Sequence, residues 1–424
     1  MKIKFYNAKI MTSSEEDILD NACLVVNNDK IEHIGDNVEG NFDRVIDAKG
    51  NLIMAGFINC HTHLAMTLLK GIGEDTGLEE WLFEHIIPNE MTLTPSDVYY
   101  GTYLAVAEML KSGITTYCDS YFYPDEVIKV TEKSGIRGVI SLGLCPTQGG
   151  KITEKELEKF YLKYNKKYPN VHFNFWCHST YTVEEPDFIK ITELARKYGE
   201  INVTHASETL TEVGNCTQKH NGLTPIMLLE KYGFFDQKAM IAHGVHLDLV
   251  DYDILSGYGV SVCTNPSSNL KLGSGIAPLS ALLKNNINVC IGTDGSSSNN
   301  RLDMFREMYL ASVLQKEELR DGKAIPCATA IKMATENGAK ALNFDNLGKL
   351  KEGYLADLIM LDLNSIDFCS SRDIKSAVVY SSGTEDVKLT MVNGKILYED
   401  GKFNIGEDIE TIKSKCSQII KKFK

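Results

Sequence analysis

Apolar and polar residues alternate in short runs through the first fifty positions, as in "KIKFYNAKIM" and "ACLVVNNDKIEHIG". A period of two places every second side chain on one face, the pattern of a half-buried β-strand. Asn28-Asp29 is a plausible hairpin turn between two such runs. The far end has the same texture. "ADLIMLDL", "SAVVYSS" and "KLTMVNGKILYEDGKF" read as strands, with Asn393-Gly394 as a turn signal. The closing "EDIETIKSKCSQIIKKFK" changes period and reads as an amphipathic helix with basic residues in its last turn. Residues 1–56 and 346–424 are therefore expected to build one small β-domain from both termini, with a C-terminal helix.

Between them, residues 57–345 alternate apolar runs with helix-period segments. The predicted strands are "GFINCHTHL", "GITTYCDSYF", "RGVISLGL", "VHFNFWCHST", "INVTHASE", "AMIAHGVHL", "GVSVCTNP" and "NVCIGTDG". Helical runs such as "PSDVYYGTYLAVAEMLKS" and "PDFIKITELARKYG" lie between them. Eight strand–helix units match a (β/α)₈ TIM-like barrel, in which chemistry is built at the C-terminal ends of the strands. A doubly wound open sheet is the alternative. No Gly-x-Gly-x-x-Gly follows any of these strands, so its usual dinucleotide signal is missing.

Composition narrows the function. The 424 residues are 43% apolar and 24% charged, with a formal net charge of −13 and no basic cluster. Phosphate backbones need a concentrated Lys/Arg surface, so nucleic acid is excluded as a partner. The start lacks the apolar core of a signal peptide and no run approaches bilayer length, so a cytoplasmic protein with no membrane partner is expected. The eleven cysteines contain no Cys-x-x-Cys pair, which argues against a cysteine-rich zinc site or a thioredoxin-like motif. Cys118, Cys263 and Cys290 lie in apolar runs and read as small buried hydrophobes.

Polar residues close the predicted strands in a pattern. His61 and His63 follow the first, His178 the fourth, His205 and Glu208 the fifth, His243 and His246 the sixth, and Asp294 the eighth. A lone His-x-His is as readily two loop residues. Imidazoles gathered at one rim with a carboxylate are instead the ligand set of a divalent metal, most simply zinc with a position left for water. His61, His63, His205 and Asp294 are the metal candidates. Asp294 could otherwise cap a helix; as a ligand it would also accept a proton. His243 follows "MIA" directly and is favoured over His246 for an inward-facing role. His33, His85, His172 and His220 read as ordinary polar residues.

These residues carry a family resemblance. "AGFINCHTHL", "HASET", "AHGVHL", "TNPSSNLKLGSGIAP", "GTDGSSSNN" and "EGYLADLIMLD" resemble the amidohydrolase superfamily, and within it the methylthioadenosine/S-adenosylhomocysteine deaminase branch, nearly end to end. The resemblance implies a distorted (β/α)₈ barrel with a β-sandwich from both termini. It implies one Zn²⁺ per subunit, with Fe²⁺, Mn²⁺ or Ni²⁺ as alternatives, on His61, His63, His205 and Asp294. Glu208 would work on the purine ring nitrogen, His243 would orient the attacking hydroxide, and Asp294 would relay its proton. Glu90 would grip the ribose hydroxyls and His178 would contact substrate.

The substrate implied is a purine nucleoside, converted to the inosine analogue and ammonia. Two positions depart from the branch. Leu142 in "ISLGL" and Lys151 in "QGGKITEKE" stand where it has arginines. Arginine suits a carboxylate bidentately and lysine does not, so Lys151 would contact substrate more weakly. Adenosine, 5′-deoxyadenosine or methylthioadenosine is then expected over S-adenosylhomocysteine. The rival readings are a hydrolase of another ring, such as guanine, cytosine or an s-triazine, and a barrel without catalysis. The Pro-Cys-x-x-Cys deaminase design is absent. A homo-oligomer is compatible with the sequence but not specified by it.

Overall fold

Each of the eight apolar runs of the middle segment forms a strand: Phe57–Thr62, Ile114–Asp119, Arg137–Leu144, Val171–Ser179, Asn202–Ala206, Ala239–His243, Ser261–Thr264 and Asn288–Ile291. In the computed structural model, which describes residues 1–144 and 153–423, they pair in chain order into one eight-stranded parallel sheet. Parallel neighbours need crossovers, and helices such as Pro95–Lys111, Pro124–Ser134 and Glu185–Tyr198 supply them. The strands are apolar on both faces because one face fills the barrel and the other packs on those helices. Cys118, Val139, Met240, Cys263 and Cys290 fill the interior, whereas Ile140 and Leu142 join the core shared with the helices.

The barrel is nearly closed. Where the eighth strand meets the first, among the described residues, Asp294 N–H donates to the His61 carbonyl at 2.9 Å. The Asn59 amide bonds both to the Thr293 hydroxyl (2.7 Å) and to its backbone N–H (2.9 Å). This seam therefore lies beside His61 and Asp294.

Both ends of the chain meet in a second sheet of nine strands. Leu52–Ala55 is its centre, running parallel to Lys2–Met11 and antiparallel to Leu358–Leu361. Asn393 and Gly394 both have positive φ, 49° and 69°, as a type I′ hairpin turn requires, and join Val387–Val392 to Lys395–Glu399. Gly56 links this sheet to the barrel at a point of close approach: a Cβ there would lie 2.2 Å from Thr115 Cγ2. Arg137, buried at the start of the third barrel strand, donates two 3.0 Å bonds to the Asp357 carboxylate of the second sheet and a further one to the Asn393 side chain.

One expectation fails. "SAVVYSS" is not a strand, because Ile374–Tyr380 is a helix whose N-cap Asp373 accepts from Lys375 N–H. Three successive buried residues, Ala377, Val378 and Val379, fit a helix turned into the core and not the alternation of a strand. The C-terminal helix Ile409–Ile419 forms as expected, capped by Asp408. It packs on Pro95–Lys111, where Cys416 Sγ donates to the Tyr100 carbonyl at 3.4 Å and Lys422 pairs with Asp97. Among the described residues no helix is long and apolar enough to cross a membrane.

Candidate metal centre and active site

The C-terminal ends of four barrel strands converge on one point. His61 closes the first strand with His63 just beyond it, His205 lies in the fifth, His243 ends the sixth and Asp294 follows the eighth. His61 Nε2 lies 3.1 Å from His205 Nε2 and 3.4 Å from Asp294 Oδ1, and His63 Nε2 lies 3.3 Å from the same oxygen. Donor atoms of His61, His205 and His243 form one mutually close trio, and those of His61, His63 and Asp294 another. All five residues are buried.

These spacings fit a shared cation. An ion holding nitrogen and oxygen at ~2.0–2.2 Å in a tetrahedral shell spaces its ligands by roughly 3.3–3.6 Å. The tautomers also fit. His63 Nδ1 donates to the Ser120 carbonyl at 2.7 Å and His243 Nδ1 to the Asn269 side-chain oxygen at 2.8 Å, which leaves both Nε2 lone pairs facing the cluster. Asp294 is oriented in turn. Its Oδ2 accepts from the Ser268 hydroxyl (2.6 Å) and the Ser298 hydroxyl (3.0 Å), and its Oδ1 accepts from Gly295 N–H (2.7 Å). Burial would raise its carboxyl pKa, but the contacts with His61 and His63 outweigh that and hold it well below the usual range. Burial pushes His61 down to about 4, whereas Asp294 overcomes burial at His63 and lifts it to about 9.

Ser207, His243 and Asp294 all have positive φ, 55°, 75° and 59°. Left-handed backbone is costly for residues other than glycine and clusters at functional sites. Here it turns the chain sharply at three strand ends.

A cleft opens from the cluster, lined by His63, Trp81, Glu90, His178, Glu208 and Asp294 among others. Glu208 faces it beside the His/Asp cluster, with Oε2 at 3.5 Å from His243 Nε2 and Oε1 accepting from the Ser274 hydroxyl at 3.2 Å. Burial raises its pKa, opposed by His243. His178 lines the wall, its Nδ1 at 2.9 Å from the Thr182 hydroxyl, and burial holds it neutral with a pKa of about 3. Glu90 lies further along, near the end of the Ile87–Glu90 helical turn. Two buried polar atoms on the lining, Trp81 Nε1 and the Ser120 hydroxyl, lack a protein partner, while Glu90 and the Tyr121 hydroxyl face each other. Buried groups of this kind are normally satisfied, so the cleft is built for a polar ligand.

The structure thus gathers His61, His63, His178, His205, Glu208, His243, Asp294 and Glu90 around one cleft. His246 is set aside from it, its Nε2 donating to the Ser274 carbonyl at 2.7 Å. Leu142 is buried against the helix layer and does not line the cleft. Lys151 lies outside the described residues. Sequence reasoning missed three buried carboxylates that pin the loops. Asp119 Oδ1 accepts Leu64 N–H at 2.7 Å, directly after His63. Glu307 accepts Ser267 N–H and the Asn299 amide, both at 2.9 Å. Glu212 holds the turn that bears Glu208. Glu212 was visible as the fourth position of "TLTE", a helix-start signature. Asp119 was visible as the polar residue closing the second strand. Glu307 gave no local signal.

Residues 52–397 match the amidohydrolase family, and the chain belongs to that family. Relatives named 5-methylthioadenosine/S-adenosylhomocysteine deaminase match nearly the whole length. The Thermococcus onnurineus protein is 40% identical over 404 residues, covering 94% of this chain and 95% of its own. That of Acetivibrio thermocellus is 39% identical, covering 100% and 99%. A zinc-bound adenosine deaminase from Xanthomonas campestris superposes with a TM-score of 0.93 at 29% identity, over 99% of this chain and 98% of its own.

Proposed function

We propose that the protein is a zinc-dependent hydrolytic deaminase of adenosine-type nucleosides with an uncharged 5′ group, methylthioadenosine, adenosine and 5′-deoxyadenosine foremost. The observation that carries this is the division of the cleft. A cation-binding cluster with an adjacent buried carboxyl group, Glu208, occupies one part, and a second buried carboxyl group, Glu90 beside Tyr121, occupies another. A purine ring and its ribose need that pairing. The relatives are named for methylthioadenosine and for S-adenosylhomocysteine, which supports a nucleoside deaminase; the preference for an uncharged 5′ group rests on this chain's own residues.

His61, His63, His205 and Asp294 would hold the ion, which supplies a Lewis acid and lowers the pKa of water from ~15.7 toward ~7. Asp294 takes the proton from the attacking water. His243, fixed by Asn269, orients that water toward the ring carbon bearing the amine. Attack forms the C–O bond, breaks the aromatic π-system and places an electron pair on the neighbouring ring nitrogen. Glu208, whose pKa burial raises, donates its proton there. Asp294 then passes its proton to the amine, the C–N bond breaks, ammonia leaves, and the ring carbonyl forms as Glu208 is reprotonated. Nucleoside and water become the inosine analogue and ammonia.

Glu90 offers the ribose hydroxyls a charged acceptor only when ionised, and burial lifts its pKa to about 7 against the opposing effect of Tyr121. The acceptor is therefore lost as pH falls through about 7, so kcat/KM for ribosides should rise across that range. In Glu90→Gln this rise should vanish and kcat/KM at pH 8 should fall by roughly 10–100-fold, mainly through KM, as expected for hydrogen bonds to a charged group. Unchanged kinetics on the best substrate would point instead to a ring without a sugar.

A deamination screen tests the substrate class. Among the described residues no lysine or arginine lines the cleft, and Lys151 is a poorer partner for a carboxylate than arginine, so the zwitterionic tail of S-adenosylhomocysteine would be desolvated with little compensation. Its kcat/KM should be at least about tenfold below that of methylthioadenosine. Guanine, cytosine and s-triazines should be turned over more slowly than any adenosine analogue. The reverse order in either comparison would overturn the assignment.

A further inference from the structure

The turn Ser207-Glu208 is held by a residue outside the catalytic set. Ser207 is left-handed, and its backbone N–H and that of Glu208 both point to the Glu212 carboxylate, at 3.1 Å on Oε1 and 2.6 Å on Oε2. On the other side of the turn the Ser207 carbonyl accepts Val245 N–H and His246 N–H, each at 2.9 Å, from the loop after His243. The segment that carries Glu208 is thus clamped on both sides.

Glu212 is not used here as an ordinary helix cap. In a capping box the third helical residue returns its side chain to the N–H of the cap residue. Thr209 does cap the Leu210–Lys219 helix, accepting Glu212 N–H at 3.0 Å. The Glu212 carboxylate, however, passes over Thr209 and takes the two amides before it. Its burial, with only 7% of the residue exposed, would be costly for a carboxylate without such partners.

From this geometry we infer that Glu212 is a positioning residue for Glu208, fixing the left-handed turn that aims the catalytic acid at the ring nitrogen. The inference rests on the role proposed for Glu208. It predicts an effect on kcat that disappears once Glu208 can no longer donate its proton.

The test is a double-mutant cycle in the metal-loaded enzyme with the best nucleoside of the screen. Glu212→Gln keeps the size and one acceptor oxygen but sets an NH₂ donor against the second backbone N–H. It should lower kcat on the order of 10–100-fold, as loss of a supporting shell typically does, with KM and bound metal unchanged. Glu212→Asp, too short to reach both amides, should behave alike. Glu208→Gln should cost on the order of 10²–10⁴-fold, and adding Glu212→Gln to it should change kcat by less than about twofold, the margin within which non-interacting effects are read. An equal loss from Glu212→Gln in both backgrounds, or a wild-type kcat in that variant, would overturn the positioning role and leave the Glu208 assignment intact. A wild-type kcat in Glu208→Gln would overturn both.

Discussion

Asp294→Asn is expected to lower kcat for nucleoside deamination on the order of 10⁴-fold, the upper end of what one positioned proton-transfer group contributes. Two roles fail together. The amide cannot take the proton of the attacking water, and it removes the one carboxylate among four imidazoles, so the cluster holds a cation less tightly. Its surroundings amplify the loss. The Ser268 and Ser298 hydroxyls and Gly295 N–H all donate to this carboxylate, and an NH₂ group set against any of them would turn the side chain from its place. Steady-state ammonia release, read beside metal content and far-UV circular dichroism, checks it. Turnover within tenfold of wild type in a folded variant would remove Asp294 from the reaction.

The second large effect falls on stability. Asp357→Asn should destabilise the protein by about 3–5 kcal/mol, because it strands the Arg137 guanidinium in the interior. The two side chains are only 1% and 3% exposed, so water cannot take over. Asp357 Oδ1 also accepts Asn393 N–H at 2.8 Å, which anchors the hairpin of the second sheet to the barrel. Arg137→Met combined with Asp357→Leu should recover most of the loss, since replacing both charges removes the unpaired one. Urea denaturation of the three proteins distinguishes the cases. A single variant within about 0.5 kcal/mol of wild type, the range of ordinary surface changes, would show that the pair does not hold the two sheets together.

The barrel was legible in the chain because parallel strands are buried on both faces and so appear as continuous apolar runs. The histidines were legible because a barrel concentrates its chemistry at one end of its strands. The eight runs and the five cluster residues needed nothing more. "SAVVYSS" misled because β-branched and aromatic residues suit a strand, while the N-cap signal at Asp373 that starts the helix lay three residues before it. The loop-pinning carboxylates were hidden for a different reason. Glu307 serves Ser267, 40 positions away, and only the folded chain brings a backbone N–H to it. Leu142 shows the converse. It stands where the branch carries an arginine, but the period-two alternation of its strand turns it toward the helices.

The central claim is that segments far apart in sequence meet to hold one divalent ion on which hydrolysis depends. The most direct measurement is a titration of metal-stripped protein with Zn²⁺ while ammonia release from methylthioadenosine is followed. Activity absent at the start, rising linearly and saturating at one equivalent per chain is the predicted result. Full turnover by protein shown to be metal-free would contradict it.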